Sequence, residues 1–129
     1  MAVQTEGKYL GDWLKWEEEK NYSRQEVTIL GGSGTARVLT SGMVLGKITA
    51  SGKYVQFDDT ASDGSQTAAG VLIHNTTAPA STDVLAAIIV RMAIVSKAGL
   101  TWPGTADAGE QAAALVTLAG LGIINREGA

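Results

Sequence analysis

The sequence predicts a small, mainly β domain with one helix near its carboxyl end. Short runs that alternate apolar and polar residues recur from Val38 onward, and glycines stand at the corners between them. A stretch rich in alanine and leucine follows these runs late in the chain. This order is typical of a small β-barrel or clip rather than of an α/β sheet with helical crossovers. The predicted class is therefore α+β, a β-clip-like domain.

The predicted strands follow one another closely. "VLTSGMVLGKIT" begins at Val38, the turn "ASG" follows it, and "KYVQF" continues from Lys53. The polar loop "DDTASDGSQ" then leads into "TAAGVLIHN" from Thr67. The later run "VLAAIIVRMAIV" is apolar and β-branched at its centre, so it predicts buried strands at Val84 to Arg91 and Met92 to Lys97.

The last main element has the start and stop signals of a helix. Thr105 or Asp107 is suited to the N-cap, and Glu110 lies in the first turns. The interior is rich in alanine and leucine and ends at a pair of glycines, which predicts a helix from Ala106 to Leu121. The tail "GIINREGA" is then free to add a last short strand.

The first part of the chain differs in composition from the rest. Residues 1–35 hold Trp13 and Trp16, are rich in acidic residues, and close on "GGSGTA" from Gly31, which is typical of a flexible hinge. The sequence therefore predicts an extended amino-terminal arm with its hinge, followed by a clip domain over residues 36–129.

Two patterns occur inside this arm. Leu10, Trp13 and Leu14 have the spacing of one apolar helical face, whereas "QEVTIL" alternates and favours a strand. The central residues of that strand are Val27, Thr28 and Ile29. The two tryptophans leave two alternatives open: they pack on the chain's own core, or they anchor a partner.

Composition narrows the possible functions. The 129 residues fit one domain, and because there is only one Phe, a modest core must be built from Ala, Val, Leu and Ile, so oligomerisation would help it. The 10 basic and 13 acidic residues are intermixed, which argues against a nucleic-acid partner. The chain has no cysteine, no secretory signal is visible, and the longest apolar run is too short for a bilayer. We expect no membrane partner.

The sequence offers no reactive constellation. His74 is the only histidine, so every Ser-His-Asp arrangement would depend on it. Asp58, Asp59 and Asp63 share a loop, but their spacing is not that of an EF-hand, and a solvated turn is the better interpretation. "GGSGTA" is not followed by Lys-Ser/Thr or by a helix, unlike a phosphate-binding loop. We therefore predict no catalytic residue, no metal site and no cofactor.

The chain resembles the head decoration protein family of tailed bacteriophages, the lambda protein D group. The resemblance runs from Ser23 to Ile124 through "SRQEVTIL", "LTSGMVLGKIT", "GKYVQFDDTASDGSQTAAGVLI", "AAIIVRMAIVSKAGLTWP" and "LAGLGII". "DGSQTAAGVL" and "LTWP" are its most specific parts, and specificity comes from the order and spacing of all five. Residues 1–22 carry less of the pattern.

The resemblance implies a structural role in the virion. Such proteins form homotrimers on the outer surface of the expanded head, at three-fold and quasi-three-fold positions. There they cement neighbouring major capsid subunits against the pressure of packaged DNA, after synthesis in the host cytoplasm. The arm is implied to add a strand to the major capsid protein. The expected capsid-binding residues are Leu10, Trp13, Leu14, Trp16, Arg24, Val27, Thr28 and Ile29.

Three further expectations remain open at this stage. Trp102 and Pro103 lie between the last core strands and the helix, where they either contact a neighbouring subunit or the capsid, or Trp102 plugs the end of the clip. A phage tail or spike module that binds a host surface is one alternative function. A small trimeric β-clip enzyme is another, and it would require Asp58, Asp63 and His74 to converge.

Overall fold

A closed barrel of five strands forms the centre of the fold. The computed structural model describes residues 13–18 and 20–126. In chain order, the elements are β1 (Leu14–Glu17), α1 (Lys20–Ser23), β2 (Arg24–Ile29), β3 (Arg37–Leu39), β4 (Val44–Lys47), β5 (Tyr54–Gln56), β6 (Ala68–Leu72), β7 (Thr76–Ala78), β8 (Val84–Ile89), β9 (Ala93–Val95), α2 (Ala108–Gly120) and β10 (Ile123–Asn125). The barrel has the order β2-β5-β4-β6-β8, so the predicted mainly β class with one long helix is confirmed.

Two strands of the barrel make close backbone contacts at glycines. A Cβ atom at Gly46 on β4 would lie 2.3 Å from the Ser65 carbonyl oxygen. A Cβ atom at Gly70 on β6 would lie 2.7 Å from the Ile89 carbonyl oxygen. Glycine in a strand marks such close backbone approach. The glycines in the strand pattern therefore serve packing as well as turns.

A second sheet packs beside the barrel in the order β1-β9-β10. β1 is antiparallel to β9 with a bulge at Lys15, and β10 is parallel to β9. Helix α2 connects the two parallel strands, so this part of the chain does contain a helical crossover. The predicted strands around Val84 to Lys97 and the predicted tail strand correspond to β8, β9 and β10.

Helix α2 begins where its capping residues indicate. The Asp107 carboxylate accepts a hydrogen bond of 2.8 Å from the Glu110 N–H, and the Glu110 side chain accepts one from the Asp107 N–H. This reciprocal pair is a capping box. Ala114 and Leu118 are the buried residues of the helix. In the described part of the chain, no helix has the length and apolar character needed to span a membrane.

The core has two parts. One lies inside the barrel and includes Ile29, Leu45, Leu72 and Ile88. The other lies between the barrel, the second sheet and α2; its largest fully buried members are Trp13, Ile73, Ile89, Leu118, Ile123, Val44, Val71 and Val95. Both parts take residues from the predicted arm.

The predicted boundary at residue 35 is wrong for the described part of the arm. β2 pairs with β8 along its whole length, from Arg24 opposite Ile89 to Ile29 opposite Val84. β1 is likewise a strand of the second sheet. β1 and β2 therefore belong to the same domain as the strands that follow residue 35, because their partners β9 and β8 lie beyond that residue.

The first two residues of the predicted hinge "GGSGTA" are packed against the rest of the domain. Gly31 and Gly32 are buried, and Gly32 forms a β-bridge with Ala80. The Gly31 N–H donates a 2.8 Å hydrogen bond to the Asp83 carboxylate. A Cβ atom at Gly32 would lie 1.7 Å from the Thr35 carbonyl oxygen. Here glycine is required by close packing and not by flexibility.

Candidate functional site

Trp13 is part of the core. It is fully buried, its indole N–H donates to the Ser41 hydroxyl at 2.9 Å, and its carbonyl accepts from the Ser96 N–H at 2.7 Å. Leu14 is half-buried, packs on the same cluster and begins strand β1, so these two residues do not continue a helix. Of the two alternatives for the tryptophans, the structure shows core packing for Trp13. Leu10 lies outside the described residues.

The predicted capsid strand around Val27 is a barrel strand. Val27 and Ile29 are buried in the barrel core, and Thr28 is half-buried opposite Leu85 on β8. Arg24 at the start of β2 donates two hydrogen bonds, of 2.9 and 3.0 Å, to the Glu17 carboxylate on β1. The interpretation of "EVTIL" as part of an extended arm is therefore corrected, since β2 is a strand of this chain's own barrel and pairs with β8 along its whole length.

Trp16 is the exposed tryptophan of the predicted arm. Its relative exposure is 46%, and it lies opposite Ile94 on β9. Ile124 on β10 lies opposite the same Ile94 from the other side. The three side chains form a row across the outer face of the second sheet. The sequence predicted that Trp16 contacts the capsid. Nothing in the short run of residues around Ile124 predicted that this side chain lies in the same row.

A second surface surrounds Tyr22 and was not predicted. The Arg91 guanidinium lies 5.3 Å from the centre of the Tyr22 ring and donates a hydrogen bond to the Tyr22 carbonyl. Met92 follows with a positive φ of 50°, and its side chain packs over Gly122. These contacts join the loop after β8 to helix α1, and no sequence motif indicates them.

Trp102 and Pro103 are half-buried at the rim of an open cavity of about 620 Å³. The Trp102 ring meets Phe57 edge to face, with 6.1 Å between ring centres, and packs on the core. Its indole N–H is buried and has no hydrogen-bond partner among the described residues. The packing agrees with a plug at the end of the barrel, and whether a partner also contacts Trp102 stays a prediction.

The polar residues of the hypothetical enzyme do not converge. Asp58 and Asp63 line the same cavity, but each carboxylate caps its own turn, accepting from Thr60 and Ser65 respectively at 2.6 to 3.0 Å. Those hydrogen bonds from Ser65 lower the pKa of Asp63. His74 is exposed in the turn between β6 and β7, and it does not line the cavity. Among residues 13–18 and 20–126, no three His, Asp or Glu side chains are grouped to hold a metal ion.

A carboxyl pair links the 58–67 loop to the start of α2. A hydrogen bond from the Glu110 carboxyl and a 2.8 Å hydrogen bond from the Thr105 hydroxyl lower the pKa of Asp59. The same contact with Asp59 raises the pKa of Glu110. The pair is at the surface and joins two structural elements, so its geometry supports a structural role.

Comparison with protein families decides the class of the protein. The family model for bacteriophage lambda head decoration protein D matches residues 3–123. The chain belongs to this family. The match also takes in most of the amino-terminal segment, beyond the start of the resemblance at Ser23. A comparison with curated proteins gave no match.

Membership in the head decoration protein D family gives the chain its role. Members are structural proteins of the phage capsid and the family is not one of enzymes, so the chain has a capsid decoration role in the virion. Decoration proteins bind the capsid, and the functional site is therefore a binding surface. Among the predicted capsid-binding residues that the structure describes, Trp16 has the largest exposed apolar side chain.

Proposed function

We propose that the chain is a cementing protein of the expanded head. Three copies assemble on the outer surface at three-fold and quasi-three-fold positions and hold neighbouring major capsid subunits together against the pressure of packaged DNA. The protein is made in the host cytoplasm and adds to the head from outside. The family match over residues 3–123 is the observation that carries this proposal.

Residues 1–12 are the capsid-binding arm in this proposal. β2 is committed to the barrel, so the segment that adds a strand to the major capsid protein lies before Trp13. The family match begins at residue 3 and therefore includes this segment. Val3, Thr5 and Tyr9 are of the types favoured in strands. In the bound state, backbone hydrogen bonds to an exposed sheet edge supply affinity and alternate side chains supply specificity.

Trp13 makes such an arm mechanically useful. Its burial and its hydrogen bonds to Ser41 and Ser96 fix the carboxyl end of the arm to the core of the domain. A pull on residues 1–12 is therefore passed directly to the barrel and the second sheet. A protein that cements a shell needs this connection, because the load must cross from one capsid subunit to another through the decoration protein.

Trimerisation offsets the entropy that each arm loses when it becomes ordered on the shell. Linked binding sites typically raise avidity by about 10²–10⁴, which corresponds to roughly 3–5.5 kcal/mol. A trimer also matches the local symmetry of three-fold and quasi-three-fold positions, so all three arms meet equivalent surfaces.

Sedimentation with phage shells tests this proposal. Purified protein is mixed with expanded shells that lack decoration protein and, separately, with compact procapsids; cryo-electron microscopy of the decorated shells gives its oligomeric state there. We expect co-sedimentation with expanded shells only and a trimer on the shell. Deletion of residues 1–12 should abolish binding, as should a control in which these twelve residues are kept in scrambled order. A scrambled segment that binds normally would contradict a specific arm.

A further inference from the structure

The outer face of the second sheet carries a row of large apolar side chains. Trp16, Ile94 and Ile124 are direct neighbours on β1, β9 and β10, as the strand register shows. We call these three residues the outer row. Neighbouring strands lie about 4.8 Å apart, so the row extends roughly 10 Å across the sheet. The opposite face of the same strands packs into the core through Ala93, Val95 and Ile123.

Burial within this chain does not account for the row. Trp16 is 46% exposed and Ile124 is 49% exposed, while Ile94 is half-buried between them. Single exposed apolar residues are common on protein surfaces, but a contiguous group that includes tryptophan is typical of an interaction site. Tryptophan is also among the residues that contribute most to binding energy at interfaces.

We infer that the outer row is a second contact with the major capsid protein, adjacent to the arm. This inference rests on the proposed function of residues 1–12. The row brings together residues from the first and the last strand, because Trp16 lies on β1, just after the arm, and Ile124 lies on β10. It would therefore give the capsid a binding surface in addition to the arm, built on a rigid sheet.

The position of the arm identifies the occupant. Trp16 follows Trp13 by three positions, so their Cα atoms are at most about 11 Å apart along an extended chain. Trp13 is the point at which residues 1–12 join the core, so the outer row lies beside the place where the proposed arm leaves the domain for the capsid protein. A second copy of the chain could cover this face only by packing beside the proposed arm, so we take the major capsid protein as the partner.

The carboxylate that follows Trp16 in the sequence is paired within the chain. Glu17 follows Trp16 directly, and its carboxylate receives two hydrogen bonds from the Arg24 guanidinium. The ion pair has an N···O distance of 2.9 Å, and both side chains are largely buried. The Glu17 carboxylate is therefore already paired within the chain, so a partner that contacts Trp16 does not need to supply a cation for it.

Substitutions in the outer row test the inference. The variants are Trp16→Ala, Ile124→Thr and the double variant, and the matched control is Val116→Thr, which changes a 73%-exposed residue on α2. We expect all four to keep the thermal stability and oligomeric state of the parent protein. The double variant should bind expanded shells at least about 30-fold more weakly, as expected when a tryptophan contact of roughly 2 kcal/mol or more is lost. Val116→Thr should bind normally.

A second measurement uses the unmodified protein. Hydroxyl-radical footprinting of free and shell-bound protein reports which side chains become protected. We expect the oxidation of Trp16 and Ile124 to fall on shell binding and that of Val116 to stay the same. This readout does not depend on whether a substituted protein folds.

Each outcome separates the outer row from the arm. Normal shell binding by the double variant, together with loss of binding on deletion of residues 1–12, would overturn the row and leave the proposed function intact. Loss of the oligomer in the double variant would make the row a subunit interface and would also overturn the inference. If the parent protein itself does not bind expanded shells, the proposed function fails and the inference fails with it.

Discussion

The indole nitrogen of Trp13 donates a hydrogen bond to the Ser41 hydroxyl across 2.9 Å. Ser41 in turn donates to the Ile73 carbonyl oxygen at 2.6 Å. All three residues are buried, and the two hydrogen bonds join the start of β1 to the loops beside β4 and β6. The segment that precedes Trp13 is therefore attached to the core of the domain and not to a separate linker.

Trp13→Ala should lower the free energy of unfolding by about 3–5 kcal/mol, because it opens a large cavity in the core. Trp13→Phe should cost less but still destabilise, since the hydrogen bond to Ser41 is lost. Trp16→Ala should change stability by less than about 1 kcal/mol. Urea unfolding of the three variants measures these differences. Equal losses for Trp13→Ala and Trp16→Ala would contradict the different environments that the structure gives them.

Gly32→Ala should destabilise the protein strongly. The new Cβ atom would lie 1.7 Å from the Thr35 carbonyl oxygen, so the backbone of this segment and its bridge to Ala80 must move. Gly104→Ala is the matched control, because nothing lies within 4 Å of its Cβ position. Thermal unfolding should show a large fall in Tm for Gly32→Ala and almost none for Gly104→Ala. Similar Tm values for the two variants would contradict close packing at Gly32 and would support the prediction of a flexible hinge.

Asp107→Ala should cost about 1 kcal/mol of stability, the usual effect of removing an N-cap. The carboxylate satisfies the Glu110 N–H at the start of α2, and alanine leaves that donor without its partner. Asp107→Asn keeps an acceptor oxygen at the same place and should restore most of the loss. Urea unfolding followed by circular dichroism checks both variants. An alanine variant as stable as the parent would show that the capping box contributes little.

Stability should fall in acid, and Asp83 should contribute to the fall. A hydrogen bond from Lys53, at 2.6 Å, and another from the Gly31 N–H lower the pKa of Asp83 below its usual range. The folded state therefore binds this proton less readily than the unfolded state. The contribution is present above the unfolded pKa, near pH 4, and is lost as the pH falls through the lower folded pKa.

Asp83→Asn provides the measurement for this effect. Asparagine keeps an acceptor for the Gly31 N–H but has no titrating group, so stability should depend less steeply on pH below about pH 4. Lys53→Met removes the main cause of the shift and should also flatten the acid limb. Unfolding free energies between pH 2 and 7 test both variants. Acid limbs as steep as that of the parent would exclude a role for this ion pair.

Local signals explain which elements could be predicted. The capping residues placed α2 almost correctly, and alternation with intervening turns located most of the barrel strands. The arm boundary was wrong because β1 and β2 find their partners, β9 and β8, far along the chain. No local pattern distinguishes a strand that pairs with a distant strand of the same chain from one that pairs with a different protein.

The outer row was beyond sequence reasoning for a related reason. Trp16 and Ile124 come from opposite ends of the chain and meet only through Ile94. Their alignment depends on the bulge at Lys15 and on the parallel register of β10, since a shift of one residue would turn either side chain to the buried face. Trp16 stood out as a large aromatic, whereas Ile124 lies in a strand of three residues.

Two deletions should separate the arm from the fold. Removal of residues 1–12 spares every described strand and the Trp13 hydrogen bond to Ser41, so Tm should stay within a few degrees of that of the full chain. Removal of residues 1–30 takes away β1 and β2, opens the barrel beside β8 and removes Trp13 and Ile29 from the core. We expect this shorter protein to be unfolded by circular dichroism and to bind a hydrophobic dye. A cooperative thermal transition in the protein without residues 1–30 would show that the domain does not need β2.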